Sequence, residues 1–220
     1  MVKVVATRLD VASEAVDGLY GLLSDAERRR ASRMVFGRDR RRFIVARARL
    51  RQLLGTRLGV RPETVELAFG PTGKPALARD FVDSDLRFNV SHRDDVAAYV
   101  FAEGREIGID IEAVRVMRDA DVLADRFFAA GEREAYRALD PADRPLGFFN
   151  CWTRKEAFIK ARGDGLGHPL DRFDVSLTPG EPARIVRVGR TSGDACGWRM
   201  MSFSPAPGFV GAVVTERKAS

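Results

Sequence analysis

The hydrophobic periodicity of this chain runs through the same cycle twice, and that repetition constrains its fold more than any single motif does. A strand-like run, Val2 to Thr7, is followed by helical spacing over Val11 to Leu23, Ala26 to Phe36 and Asp39 to Leu58. Ser24 or Asp25 is placed to cap the second helix, and Gly59 with Pro62 beyond it ends the third. A short β-type run, Thr64 to Phe69, leads into a loop at Gly70-Pro71-Thr72-Gly73-Lys74-Pro75, and strand-like runs follow over Arg87 to Ser91 and Val96 to Ala102. The cycle restarts with Glu106 to Glu112. Helical patterns return over Ala120 to Phe128, Glu132 to Leu139 and Leu146 to Arg162, then strand patterns over Arg172 to Leu177, Arg184 to Val188, Trp198 to Phe203 and Phe209 to Thr215. Ala26-Glu27-Arg28 and Gly131-Glu132-Arg133 fall at matching places in the two passes. The expectation is an α+β fold of two similar lobes, residues 1–104 and 105–220, with a site in the cleft between them. The three runs between Arg87 and Glu112, joined by short polar turns, predict a β-meander.

At 220 residues, with 45% hydrophobic and 31% charged side chains, the chain has the make-up of an ordinary globular protein. It contains no run of eighteen apolar residues, so no membrane span is expected. The N-terminus, Met1-Val2-Lys3-Val4-Val5-Ala6, lacks the apolar stretch of a secretory signal. Cys151 and Cys196 stand far apart without a second pair, which fits reduced thiols and a cytoplasmic location.

The net charge of +6 is unevenly spread. Eleven arginines between Glu27 and Arg51 face only Glu27 and Asp39, a local excess of +9. Such a block suits a polyanionic partner such as a nucleic acid, a phosphate ester or an acidic protein, and it is equally the look of a solvated helix face. A nucleic-acid module would interleave aromatic residues with the basic ones, whereas this stretch has only Phe36 and Phe43.

Four short motifs carry chemistry. In Ile107-Gly108-Ile109-Asp110-Ile111-Glu112 the alternation sends three isoleucines to the core and Asp110 and Glu112 to the opposite face, where Gly108 leaves space. Two carboxylates so placed suit a hard cation such as Mg²⁺, although an isolated Asp-X-Glu is more often the wet face of a strand. In Trp152-Thr153-Arg154-Lys155-Glu156-Ala157-Phe158-Ile159-Lys160, followed by Gly163 and Gly165, four-residue spacing puts Glu156 and Lys160 on one helix face. That pairing is also an ordinary surface ion pair. Phe88-Asn89-Val90-Ser91-His92 ends a strand with a hydroxyl and one of only two histidines, groups able to hold a phosphate. Gly73-Lys74-Pro75 offers close backbone approach and a cation.

The order of these four motifs is more specific than any one of them. It resembles the motif series of the larger, pseudo-dimeric 4'-phosphopantetheinyl transferases, and the likeness runs from the arginine-rich segment to about Asp174. The resemblance implies a duplicated α+β fold and transfer of phosphopantetheine from coenzyme A to a serine of an acyl or peptidyl carrier protein, with 3',5'-ADP released. It implies Mg²⁺ held by Asp110, Glu112 and Glu156, with Glu156 as general base and Lys160 at the leaving group. It also implies coenzyme A contacts from Arg30, Gly73, Lys74, Ser91, His92, Lys155 and Lys160. Carriers of secondary metabolism are the expected partners, nucleic acid and membrane are not, and a chain that contains both halves is expected to act as a monomer. A Mg²⁺-dependent phosphohydrolase would account for the acids alone but has no need of His92 and Lys74.

Overall fold

An unbroken apolar run such as Val96 to Ala102 is stable in a sheet only if both faces are covered. In the computed structural model, which describes residues 2–70, 73–78, 81, 84–163, 169–189 and 193–217, it is the middle strand of an antiparallel sheet. The elements of the first half are β1 (Lys3–Arg8), α1 (Ser13–Tyr20), α2 (Asp25–Ser32), α3 (Gly37–Leu58), β2 (Leu67–Phe69), β3 (Pro75–Leu77), β4 (Leu86–Arg93) and β5 (Val96–Glu103). Those of the second are β6 (Ile107–Ala113), α4 (Ala120–Phe127), α5 (Ala130–Ala138), α6 (Arg144–Arg162), β7 (Phe173–Val175), β8 (Ile185–Val188), β9 (Trp198–Phe203) and β10 (Phe209–Glu216). The larger sheets have the orders β1-β5-β4 and β6-β10-β9, and β2-β3 and β7-β8 form small hairpins. In both large sheets the first strand lies beside the last, and the next-to-last lies on the far side.

The expected meander does not form. β4 and β5 make a hairpin, but β6 pairs with β10, with Asp110 opposite Ala212, and so begins the second sheet. The physical reason lies in the alternation of β5. Its Ala97, Tyr99 and Phe101 face α3 and the first-half core, whereas Val96, Ala98, Val100 and Ala102 pack on Ile107, Ile109, Ile111 and Val213. The isoleucines of β6, none more than 1% exposed, therefore fill the seam between two stacked sheets. Burying each such side chain is worth about 1.5–3 kcal/mol, which outweighs extending one sheet edge-on.

Each half is tied by the same polar device. In the first, Ser24 and Glu27 form a capping box at the start of α2. The Glu27 carboxylate also receives Arg51 of α3 at 2.7 Å, and Arg51 reaches on to the Val65 carbonyl at 2.8 Å. In the second, Glu132 of α5 accepts from the backbone N–H of Ala129 and pairs with Lys155 of α6, both at 2.7 Å. Lys155 in turn donates to the Leu170 and Phe173 carbonyls. The short identity around Glu27 and Glu132 is thus a shared structural role.

These ties also revise two expectations. Lys155, expected at coenzyme A, is 1% exposed with its ammonium committed to Glu132 and two carbonyls, so it is a core residue. The arginine block is not one solvated face either. Arg51 is buried, Arg47 and Arg51 share Glu27, and Arg42 is held by Asp10 at 2.7 Å.

Removing one partner of such a buried pair strands the other charge, at a cost of about 3–5 kcal/mol. Lys155→Ala is expected to lower unfolding free energy by that amount in urea denaturation. The Glu132→Gln, Lys155→Met double variant, which removes both charges, is expected to lose less.

Candidate functional site

The site is built on the contact between β6 and α6. Pro145 in its first turn and Gly163 at φ +78° after its last residue bound α6, whose Phe148, Phe149, Phe158 and Ile159 are buried. Thr153 lies inside the helix, its hydroxyl donating to the Phe149 carbonyl. The face of β6 opposite the isoleucines is covered by this helix. Gly108 does not leave open space there, because a Cβ on it would lie 2.1 Å from the Ala157 carbonyl oxygen and 2.4 Å from the Ala161 nitrogen. The missing side chain lets helix and strand backbones touch. That contact brings Lys160 Nζ to 2.6 Å from Asp110 Oδ1. Glu156, one turn earlier, has its carboxyl pushed up by burial and by the charges of Asp110 and Glu112, against the pull of Lys160.

The second wall comes from β4. Asn89 Oδ1 accepts from the Ile109 N–H at 2.9 Å. The Ser91 hydroxyl accepts from the Ile111 N–H at 3.3 Å and donates to Asp110 Oδ1 at 2.9 Å. Both side chains serve β6 in place of a backbone ladder. Ser91, expected to meet a ligand, is buried and its hydroxyl is spent positioning Asp110. His92, the next residue, is exposed. Protein nonetheless crowds its ring enough that desolvation, then Lys160, Arg47 and Arg30, hold its pKa below the ordinary histidine value.

The first half supplies a basic, aromatic wall. Arg30 and Arg47 lie over the Phe43 ring at 5.3 and 5.8 Å, and Arg47 also faces Phe69 at 5.5 Å. A cavity of about 440 Å³ opens here, lined by Glu27, Arg30, Phe43, Arg47 and Phe69 among others. Arg47 and Phe69 escaped the sequence reading. The four-residue spacing of Phe43, Arg47 and Arg51 along α3 was the available signal for Arg47.

Gly73, at φ +76°, sits in the β2–β3 turn, a backbone conformation that favours glycine. Lys74 beside it donates to the Lys160 carbonyl at 2.6 Å and to the Ile107 carbonyl at 3.4 Å. It straps the first half onto the last turn of α6, where a cation also offsets the helix dipole. Burial lowers its pKa. Pro71, Thr72, Gly165 and Gly167 lie outside the described residues.

The structure therefore brings Asp110, Glu112, Glu156 and Lys160 together, faces them with His92, Arg30 and Arg47, and leaves Lys155 out. Carboxylates beside a lysine and a basic cleft offer the charges that phosphate-ester chemistry uses. Comparison with known proteins identifies the class. Residues 106–201 match the 4'-phosphopantetheinyl transferase superfamily, and residues 12–103 match the N-terminal model of 4'-phosphopantetheinyl transferases. The 4'-phosphopantetheinyl transferase HetI of Nostoc sp. is 38% identical over 205 residues, covering 93% of this chain and 83% of its own. The human L-aminoadipate-semialdehyde dehydrogenase-phosphopantetheinyl transferase is 30% identical over 70% of this chain and 52% of its own. A crystal structure of the Thermotoga maritima holo-[acyl-carrier-protein] synthase shows a partial likeness, with TM-score 0.39 and 22% identity over 52% of this chain and 64% of that one. The chain belongs to the 4'-phosphopantetheinyl transferase superfamily and is an enzyme of that type.

Gly108→Ala puts a methyl group into the α6 backbone, which no rotamer relieves. A shift of about 1 Å in catalytic groups costs roughly a hundredfold. The variant is expected to lose transferase activity on that scale, measured as kcat/KM, with a lowered melting temperature by circular dichroism.

Proposed function

We propose that this enzyme transfers the 4'-phosphopantetheine of coenzyme A to the serine of an apo acyl or peptidyl carrier protein and releases 3',5'-ADP. The observation that carries this reading is the convergence of Asp110, Glu156 and Lys160 with a basic, aromatic cleft on the other half. Coenzyme A combines a diphosphate, a 3'-phosphate and an adenine, and the two walls offer charge for the phosphates and rings for the base. The matching element and sheet orders support a pseudo-dimer of halves 1–104 and 105–220 with the site between them. A chain that supplies both halves acts as a monomer on this reading.

The donor set fits Mg²⁺. Asp110 Oδ2 and Glu112 Oε2 are buried carboxylate oxygens without hydrogen-bond partners, and Glu156 feels both charges. Among the described residues no three His, Cys, Asp or Glu side chains gather into a group that could hold a metal ion by themselves. Mg²⁺ usually takes part of its shell from water and substrate phosphates. When bound, the ion would neutralise the diphosphate and ease charge build-up on the leaving group.

The protein groups do the rest. Glu156, whose carboxyl burial and the Asp110 charge push up from the ordinary glutamate value, takes the proton of the incoming serine. The serine oxygen bonds to the pantetheine-bearing phosphorus as the bond to the bridging diphosphate oxygen breaks. Lys160, held in place by Asp110, supplies positive charge for the departing 3',5'-ADP. His92, Arg30 and Arg47 take the nucleotide end, with His92 on the 3'-phosphate.

Incubation with coenzyme A, Mg²⁺ and an apo carrier protein is expected to add one phosphopantetheine to the carrier, read by mass spectrometry. Asp110→Ala and Glu156→Ala are expected to lose most of that activity while coenzyme A binding without metal changes little. An unmodified carrier, or full activity in either variant, would refute the assignment.

A hydrogen bond to a charged group is worth about 1.5–3 kcal/mol, or roughly ten- to a hundredfold in binding. His92→Ala is expected to weaken coenzyme A by that factor and leave dephospho-coenzyme A nearly unchanged. Because the imidazole pKa is depressed in the free protein, the wild-type preference should grow as pH falls through that lowered value and the ring becomes charged. Equal losses on both substrates would remove His92 from the 3'-phosphate.

A further inference from the structure

Glu112 differs from the other two acids of the site in its neighbours. Arg93 Nε lies 3.2 Å from Glu112 Oε2, and Arg115 Nη1 lies 3.9 Å from the same oxygen. Neither approach is a hydrogen bond, because Arg93 Nε and Glu112 Oε2 are both buried atoms without a hydrogen-bond partner. Buried polar atoms are almost always satisfied. At 3.2 Å the two groups form an ion pair without a hydrogen bond, so neither the carboxylate oxygen nor the N–H is committed to a directional bond within the pair.

Arg93 is held in this position by its hairpin. It is the last residue of β4, paired with Val96, and the next residue, Asp94, has φ 50°, a left-handed conformation that aspartate tolerates better than most residues. Asp95 in the same turn is fixed by Arg8 at 2.5 Å. The Arg93 side chain is 36% exposed against 16% for Glu112, so the guanidinium is the more accessible member of the pair. An ordinary surface ion pair would bring neither burial of both contact atoms nor a pinned turn.

We propose that Arg93 is a substrate-binding residue that serves as the resident counter-ion of Glu112 and hands it over when cation and substrate enter. Glu112 then turns to the cation and the Arg93 guanidinium to a substrate phosphate oxygen. This rests on the reading above, in which the acids hold a divalent cation against the diphosphate. Arg93 thereby opposes cation binding in the empty enzyme and favours it once phosphate is present, which couples the two ligands.

The test uses Mn²⁺ as probe, with free ion followed by electron paramagnetic resonance at fixed ionic strength and coenzyme A binding followed by calorimetry. Arg93→Gln is expected to bind Mn²⁺ about tenfold more tightly than wild type without coenzyme A, the size expected of one partly screened charge a few ångströms from a dication. It should bind coenzyme A about tenfold more weakly at saturating Mn²⁺, where Arg93 of the wild type is free to turn to the phosphate. Arg93→Lys keeps the charge and should stay near wild type for Mn²⁺, and melting curves of both variants should confirm that they fold. Equal or weaker Mn²⁺ binding by Arg93→Gln, in a wild type whose Mn²⁺ binding is lost in Asp110→Ala, overturns the role of Arg93 and leaves the cation site standing. Wild-type Mn²⁺ binding that Asp110→Ala does not reduce overturns the cation reading and the proposal with it.

Discussion

The contact between the Gly108 backbone and α6 is the constraint on which the site depends. A helix packed on a strand normally stands off by the length of the side chains between them. At Gly108 there is no side chain, and the strand meets the helix near Ala157 and Ala161, two small residues. The acids of β6 and the Glu156 and Lys160 stripe of α6 are drawn together as a result. Charged groups that would otherwise sit on two separate surfaces share one cluster, and burial together with the charge of Asp110 pushes the Glu156 and Glu112 carboxyls up.

Around that contact the two halves are joined in two different ways. Apolar side chains of β5 and β6 stack face to face, which supplies adhesion without direction. Asn89 and Ser91 then fix the register, because each bonds a specific backbone N–H of β6. One register follows, and with it the distance from Ser91 to Asp110 and from His92 to Lys160. Lys74 adds a third tie, from the β2–β3 hairpin to the end of α6. The polar ties give the cleft a fixed geometry.

The two buried ion pairs have a different task. Glu27 with Arg51, and Glu132 with Lys155, each join the second helix of a half to the third and to the strand or loop that follows. Isolated buried pairs add little net stability, since desolvation offsets their attraction. Here each carboxylate also caps its own helix and each cation reaches backbone carbonyls, so few polar atoms are left unserved. The third helix of each half, which carries Arg47 in one case and Glu156 and Lys160 in the other, is set at a defined angle by these contacts.

Local pattern in the sequence determined the elements, the strand alternation at Ile107 to Glu112, the helical stripe of Glu156 and Lys160, and the repeated order of parts, because periodicity and caps act over a few residues. The order of the four motifs along the chain carries the likeness to the family. Tertiary structure alone decided that β6 leaves the hairpin to open a second sheet, since that choice compares burial across residues far apart in the chain. It also decided the fates of chemically similar side chains. Lys155 and Lys160 are five residues apart on one helix, and only packing sends the first into the core against Glu132 and the second to Asp110. Arg47 and Arg93 look like members of charged runs in the sequence. Their places, over Phe43 and against Glu112, come from the meeting of segments that local sequence does not relate, and long-range electrostatics of that kind exists only after the chain has folded.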